Sequence, residues 1–243
     1  MENETLVEVE SRSIQYSLAY LKLLLDLTKI SNKVLIEKDE ENGVICTVQK
    51  NPEKYMAYVL TAPYHYFDIA DNVGIHDFKA FSSFFKRLNN PTIEQVDNKL
   101  VLVSGNKKIN YVLSNPEFCW GAVRNIDFDR PAYEFEFTKK MIVDIIDSKK
   151  HIESRYASFS CNCNGVVVRL GDTPDTYCEY SFDAKIFDGA TEVEFKIRAD
   201  VFEKIPKRDY ILTIQCPGNL RFSSIDKEVG LDIYTGRVKE REE

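Results

Sequence analysis

Apolar and polar residues alternate with period two through most of this chain, and four stretches interrupt the alternation. A chain patterned this way folds around half-buried sheet surfaces, with few helices to cover them. In the first half the strand candidates are Val34–Ile36, Gly43–Val48, Tyr55–Leu60, Lys99–Val103 and Lys108–Leu113. In the second half they are Ala132–Phe137, Ala157–Cys163, Val166–Leu170, Tyr177–Lys185, Glu192–Ile197, Tyr210–Gln215, Leu220–Ser224 and Gly230–Tyr234. Glu41-Asn42-Gly43, Asn162-Cys163-Asn164-Gly165 and Asp188-Gly189 fall between runs and predict tight hairpin turns.

The interruptions are Ser13–Thr28, Asp77–Leu88, Thr138–Lys150 and Asp200–Ile205. Ile14, Leu18, Leu21 and Leu25 mark an apolar stripe at helical spacing in the first, and Phe78, Phe81, Phe85 and Leu88 in the second. Met141, Ile142, Ile145 and Ile146 mark the third, and Val201, Phe202 and Ile205 the fourth. Asp77 and Thr138 are expected N-caps, and Pro206 stops the last helix.

The order helix, strands, short helix, strands occurs twice. The predicted class is therefore α+β, as two similar domains at residues 1–120 and 133–243, joined by a connector at 121–132. The connector stretch GAVRNIDFDRP has a Gly, a Pro and four charges and no clean alternation.

Net charge is -7, from 32 basic and 39 acidic residues, which alone argues against a polyanionic ligand. Placement matters more than the sum. Residues 14–29, 77–88, 138–150 and 198–208 hold thirteen basic and six acidic residues, so all the excess acid lies elsewhere. Lys22 and Lys29 are seven apart, as are Lys79 and Lys86, so each pair shares a helix face. Solvated surface lysines, common because lysine favours helices, are one reading of this pattern. The alternative is a basic helical surface that attracts phosphates without reading bases.

Several functions find no support. Cys161 and Cys163 stand two apart, not as a metal knuckle, and His65, His76 and His151 are scattered, so no zinc is expected and the six cysteines read as reduced thiols. Asp144 and Asp147 are a helical i,i+3 pair with no neighbouring histidine, read as surface acids rather than an acid–base pair. No GxGxxG or Walker A run occurs, and no cofactor is expected. No apolar run approaches the ~20 residues of a membrane span, and the acidic start MENETLVEVE does not read as a secretory signal.

The segments YSFDAK (Tyr180–Lys185), IFDG (Ile186–Gly189), EFKI (194–197) and RADVFEKIP (198–206) follow in that order. The strand Tyr210–Gln215 and a closing Val229–Tyr234 come next. In order and spacing these resemble the sliding clamps of DNA replication, most closely those of T4-type bacteriophages. The stretch from His76 to Trp120, with its aromatic end at Phe118 and Trp120, resembles the first-domain helix and strands of the same family. Met1–Glu10 and the long first helix depart from its pattern.

The resemblance implies a duplicated clamp domain, two per chain, with antiparallel sheets outside and helices inside. It implies a homotrimeric ring closed head to tail through edge strands. The implied function is a non-enzymatic processivity factor that encircles double-stranded DNA and tethers DNA polymerase, loaded by an ATP-driven clamp loader. The implied place is the cytoplasm of an infected bacterial host, with no membrane partner. The residues expected to face DNA in the lumen are Lys22, Lys79, Lys86, Arg87, Lys139, Lys140, Lys149, Lys150, Arg198 and Lys204. A groove for partner peptides beside the connector is expected from Val123, Ile126, Phe128, Leu212, Ile214, Leu231 and Ile233, with core burial the competing role for each. Phe128 stands out as an aromatic residue in a charged connector. The competing functions are a clamp-like viral platform for transcription or packaging factors, and a structural β-scaffold that binds no DNA.

Overall fold

A computed structural model of the chain describes residues 11–51, 55–88, 90–119, 128, 130–171, 173, 175–226 and 228–238. The first elements are β1 (Ser11–Ile14), α1 (Leu18–Leu27), β2 (Val34–Asp39), β3 (Val44–Asn51), β4 (Met56–Pro63) and β5 (Val73–Ile75). Next come α2 (Phe78–Arg87), β6 (Thr92–Val96), β7 (Lys99–Ser104), β8 (Lys107–Val112) and α3 (Pro116–Cys119). Then follow β9 (Pro131–Phe137), α4 (Lys139–Ile152), β10 (Tyr156–Asn162), β11 (Gly165–Leu170), β12 (Cys178–Phe182) and β13 (Lys185–Ile186). The chain ends with β14 (Val193–Arg198), α5 (Val201–Lys204), β15 (Tyr210–Gln215), β16 (Asn219–Ser224) and β17 (Gly230–Thr235). It divides into two compact units. One comprises Met1–Thr28, Asn32–Thr47 and Ala62–Trp120, and the other Lys29–Ser31, Val48–Thr61 and Gly121–Glu243.

In the first unit, β1-β6-β7-β8 form an antiparallel sheet, and β2 pairs with both β3 and β5. Its core gathers Leu24 and Leu27 of α1, Phe78 and Phe81 of α2, and Ile93, Leu100 and Leu102 of the sheet, all fully buried. Phe81 lies edge-on to Phe85 at 5.4 Å and to Tyr111 at 5.1 Å, which seats α2 on β8.

The first helix is shorter than its periodicity predicts. Ser11–Ile14 is a strand whose register runs Ser11↔Val96 to Ile14↔Ile93, and that ladder carries Ile14 into the core. Ser17 then caps α1 by accepting from the Tyr20 N–H. Leu18, expected on the apolar stripe, is 54% exposed, whereas Tyr20, Leu21, Leu23, Leu24 and Leu27 are buried. The sequence LAYLKLLLDL is apolar on nearly every side, so its spacing does not select one face. Lys29 lies beyond the C-cap Thr28, not on the helix face of Lys22.

In the second unit, β12-β11-β10-β14 form one antiparallel sheet. A second contains β13-β9-β15-β16-β17-β4, in which β4 pairs with β17 from Gly230↔Thr61 to Thr235↔Met56. The expected single strand Tyr177–Lys185 is two: β12 pairs with β11, and after Asp183-Ala184 β13 pairs with β9. The chain thus changes sheets in two residues. Phe137 is the centre of the core, with Phe182, Phe202 and Phe222 each 5.8 Å away, and Ile142, Ile145 and Ile146 of α4 are buried. The β10–β11 turn follows the Asn-Cys-Asn-Gly prediction: Asn162 pairs with Gly165, and the Asn162 Oδ1 accepts from the Asn164 N–H at 2.8 Å. All six cysteines are free, with Cys119 and Cys161 buried. No helix among the described residues is long and apolar enough to cross a membrane.

Candidate nucleic-acid interface

The basic residues of α2 are displayed by a fully capped helix start. The first N–H groups of a helix have no partner within it. Here the Asn32 carbonyl accepts from Phe78 N–H at 3.0 Å, and the Asn32 Oδ1 accepts from Lys79 N–H at 3.0 Å. The Asp77 Oδ1 accepts from Ala80 N–H at 2.9 Å, and also from the Asn32 Nδ2 at 2.9 Å. These bonds hold the Asp77 carboxyl below the usual carboxylate range, the Ala80 bond most strongly. With Phe78 and Phe81 buried, Lys79, Lys86 and Arg87 are exposed.

On α4, Thr138 caps the start by accepting from the Met141 N–H at 3.3 Å. Lys139 and Lys140 follow at once, both exposed. Two cations in a first turn sit at the positive end of the helix dipole, an arrangement that costs stability and strengthens the local positive potential. The Asp209 carboxylate offsets part of this by accepting from the Lys139 backbone N–H at 2.7 Å.

The ten predicted lumen residues divide into two groups. Lys22, Lys79, Lys86, Arg87, Lys139 and Lys140 are exposed and have no ion pair among the described residues. The other four are held by acids. Lys149 reaches Glu203 at 2.6 Å, and Lys150 reaches Asp147 at 3.2 Å. Arg198 donates two parallel bonds of 3.1 Å to Asp200, and Lys204 donates to the same carboxylate at 2.6 Å. Burial pushes the Asp200 carboxyl up, but the bonds from Lys204 and Arg198 outweigh it and leave the group lowered. The Arg198 pKa is raised, first by its hydrogen bonds to Asp200. Sequence alone offers Lys204–Asp200 as an i,i+4 pair. It gives no sign of Lys149–Glu203, whose members meet only through the packing of α4 against α5.

Of the predicted peptide groove, Val123 and Ile126 lie outside the described residues. Leu212, Ile214 and Ile233 are fully buried and Leu231 is 2% exposed. Leu212, Phe222 and Ile233 stand opposite one another across β15, β16 and β17, in the core row of the sheet. Phe128 is 8% exposed, seated edge-on against Tyr234 at 5.9 Å with the Arg221 guanidinium 5.0 Å from its ring centre. Arg221 and Tyr234 are cross-strand partners pointing away from that core row, and the sequence reading passed over them. The signal was available: in LRF and DIY they are the polar-face members of an alternation.

Each unit also presents an outer strand. β8 carries exposed Lys107 and Lys108, and β12 carries exposed Glu179. Among the described residues, no group of three or more His, Cys, Asp or Glu is placed to hold a metal ion.

No family model matches the sequence, and no curated protein matches it. The structure does match solved structures. The proliferating cellular nuclear antigen of Entamoeba histolytica superposes with a TM-score of 0.71 over 94% of this chain and 98% of that one, at 13% identity. The A. fulgidus PCNA structure with the C-terminal region of FEN-1 bound superposes with a TM-score of 0.75 over 95% of this chain and all of that one, at 12% identity. The chain therefore shares the fold of these two PCNA structures along nearly its whole length.

Proposed function

We propose that this protein is a sliding clamp that encircles duplex DNA and keeps a polymerase on its template. The observation that carries the reading is the group of six exposed, unpaired cations on α1, α2 and α4. They lie in a chain of net charge -7 whose fold is that of the clamp superfamily. Flexible lysines reach phosphates through hydrated contacts that are individually weak and indifferent to sequence, which suits a protein that must move along DNA. The role needs no catalytic group.

In this reading the two units are a duplicated domain, and three chains close a ring head to tail. The lysine-bearing edge β8 of one chain meets the Glu179-bearing edge β12 of the next, so that neither strand is left bare. The finer assignment is to the T4-type phage branch, acting in the cytoplasm of an infected bacterium with a loader driven by ATP. The FEN-1 segment on the A. fulgidus protein supports a peptide-binding role for this fold, and the partners proposed here dock by such segments. Tethering two partners raises the local concentration of the second.

The test compares circular with linear duplex DNA after loading, washed at high salt. A closed ring stays on circular DNA and runs off linear DNA. Equal, rapid loss from both would overturn the mechanism. The double variant Lys86→Glu, Lys139→Glu should load poorly on any DNA sequence while its trimer mass and fold are unchanged.

A further inference from the structure

The second unit contains an open cleft of about 630 Å³ where α4 ends and β10 begins. Two tyrosines line it, Tyr55 at 63% exposure and Tyr156 at 38%. The two rings share one cleft rather than standing singly on the surface. Lys149, Lys150, Arg155 and Arg198 line the same cleft, against the carboxylates of Glu153 and Asp200. We propose that this cleft binds a short stretch of single-stranded nucleic acid, with unpaired bases stacked on Tyr55 and Tyr156 and a phosphate taking the place of Asp147 on the exposed Lys150. The choice of nucleic acid as ligand rests on the clamp reading; the choice of an unpaired strand rests on the cleft.

The site is built rather than incidental. Tyr156 stands directly opposite Arg198 in the β10–β14 ladder, so ring and guanidinium are neighbours on one face of the sheet. Asp200 grips Arg198 through two bonds, fixing the plane of the guanidinium. The loop before Tyr156 is locked from below. Ser154, 2% exposed, donates to the Tyr156 carbonyl at 2.7 Å and accepts from the Gly171 N–H at 3.0 Å. Ala199 N–H donates to the Arg155 carbonyl at 3.0 Å, tying the floor of the cleft to the end of β14. Glu153 ends α4 in the left-handed conformation, φ 56°, and Tyr55 also has a positive φ of 52°.

The chemistry selects an unpaired strand. In a duplex the base faces are covered by one another, so exposed tyrosine rings meet base faces only where pairing has stopped. The Lys150–Asp147 pair is exposed on both sides, and such pairs are weak enough for a phosphate to replace the carboxylate.

The experiment measures anisotropy of a short fluorescent oligo(dT) with the full-length protein. Tyr55→Ala and Tyr156→Ala should each weaken binding roughly five- to a hundredfold, the range of one lost base stack. Tyr156→Phe, which keeps the ring, should bind as the unaltered protein does. Lys150→Ala should lower the slope of log affinity against log salt by about 0.7. Circular dichroism and native mass verify that each variant is folded. Unchanged oligo(dT) binding in both alanine variants would overturn the cleft, as would stronger binding of an acidic peptide with the same tyrosine dependence. Retention on circular duplex is read in parallel. A cleft failure leaves that retention intact, whereas a clamp failure abolishes it and leaves tyrosine-dependent oligo(dT) binding in place.

Discussion

Replacing Asp77 with Ala tests the link between a local cap and the basic face of α2. The substitution removes the acceptor for Ala80 N–H, a change that costs about 1 kcal/mol at a typical N-cap. It also removes a negative charge from the positive end of the helix dipole, worth about 0.3–1 kcal/mol. The half-buried Asn32 also loses its Nδ2 partner, a smaller loss than at a fully buried donor. The expected loss is about 1.5 kcal/mol, roughly a tenfold change in the opening equilibrium of the helix start. Amide exchange at Ala80 and Phe81 reads this directly, without requiring the two units to unfold together. Asp77→Asn keeps an acceptor and loses only the charge, so it should cost about 0.3–1 kcal/mol. The sign with pH follows from the lowered carboxyl. Its contribution is complete above the unfolded value of 3.8 and disappears as pH falls through the lower folded value. The gap between Asp77→Ala and the unaltered protein should therefore narrow in acid by the charge part, about 0.3–1 kcal/mol, because the neutral acid still accepts from the Ala80 N–H. A gap that is independent of pH, or Asn and Ala variants of equal cost, would refute the cap assignment.

Lys108→Glu places like charge opposite Glu179 in the proposed edge pairing, and native mass should shift from trimer toward monomer; an unchanged trimer would place the interface elsewhere. Gly218 has φ +130°, and a Cβ there would stand 2.8 Å from the Phe195 ring, so Gly218→Ala should lower stability by more than about 1 kcal/mol, read as a lower denaturation midpoint. Phe128→Ala removes a buried ring and its contact with Arg221, and a loss of about 3 kcal/mol is expected in urea unfolding of the second unit.

Strands bounded by turn residues were legible, and Tyr210–Gln215 agrees to the residue. Both expected caps, Asp77 and Thr138, accept the bonds assigned to them. What sequence did not reveal depends on distant partners. SRSI, VGI and TIEQV are short or polar and become β1, β5 and β6 only by pairing with other strands; PEFC, after Asn115, gives one helical turn. Linear order likewise gives no sign that Val48–Thr61 clusters with the second unit, because the strand that holds it, Gly230–Thr235, lies far along the chain. In the candidate site, composition located the basic helices but could not tell a free lysine from one held by an acid. The decisive acid for Lys149 is Glu203, 54 residues away. The cleft tyrosines escape the sequence for a related reason: Tyr55 opens one strand candidate and Tyr156 lies just before another, and only the fold brings them to one place.

The position of β4 governs how the chain can be dissected. A fragment beginning at residue 121 would contain β17 but not its neighbour, leaving the six positions from Gly230 to Thr235 with an open backbone edge. Such an edge recruits any compatible strand, including that of another copy, so the fragment should precipitate or mispair. A synthetic peptide covering 48–61 supplies the missing strand in register, and adding it should rescue solubility. The second unit is thus a natural split pair, a short N-terminal piece and a long C-terminal one, that reassembles only when both are present.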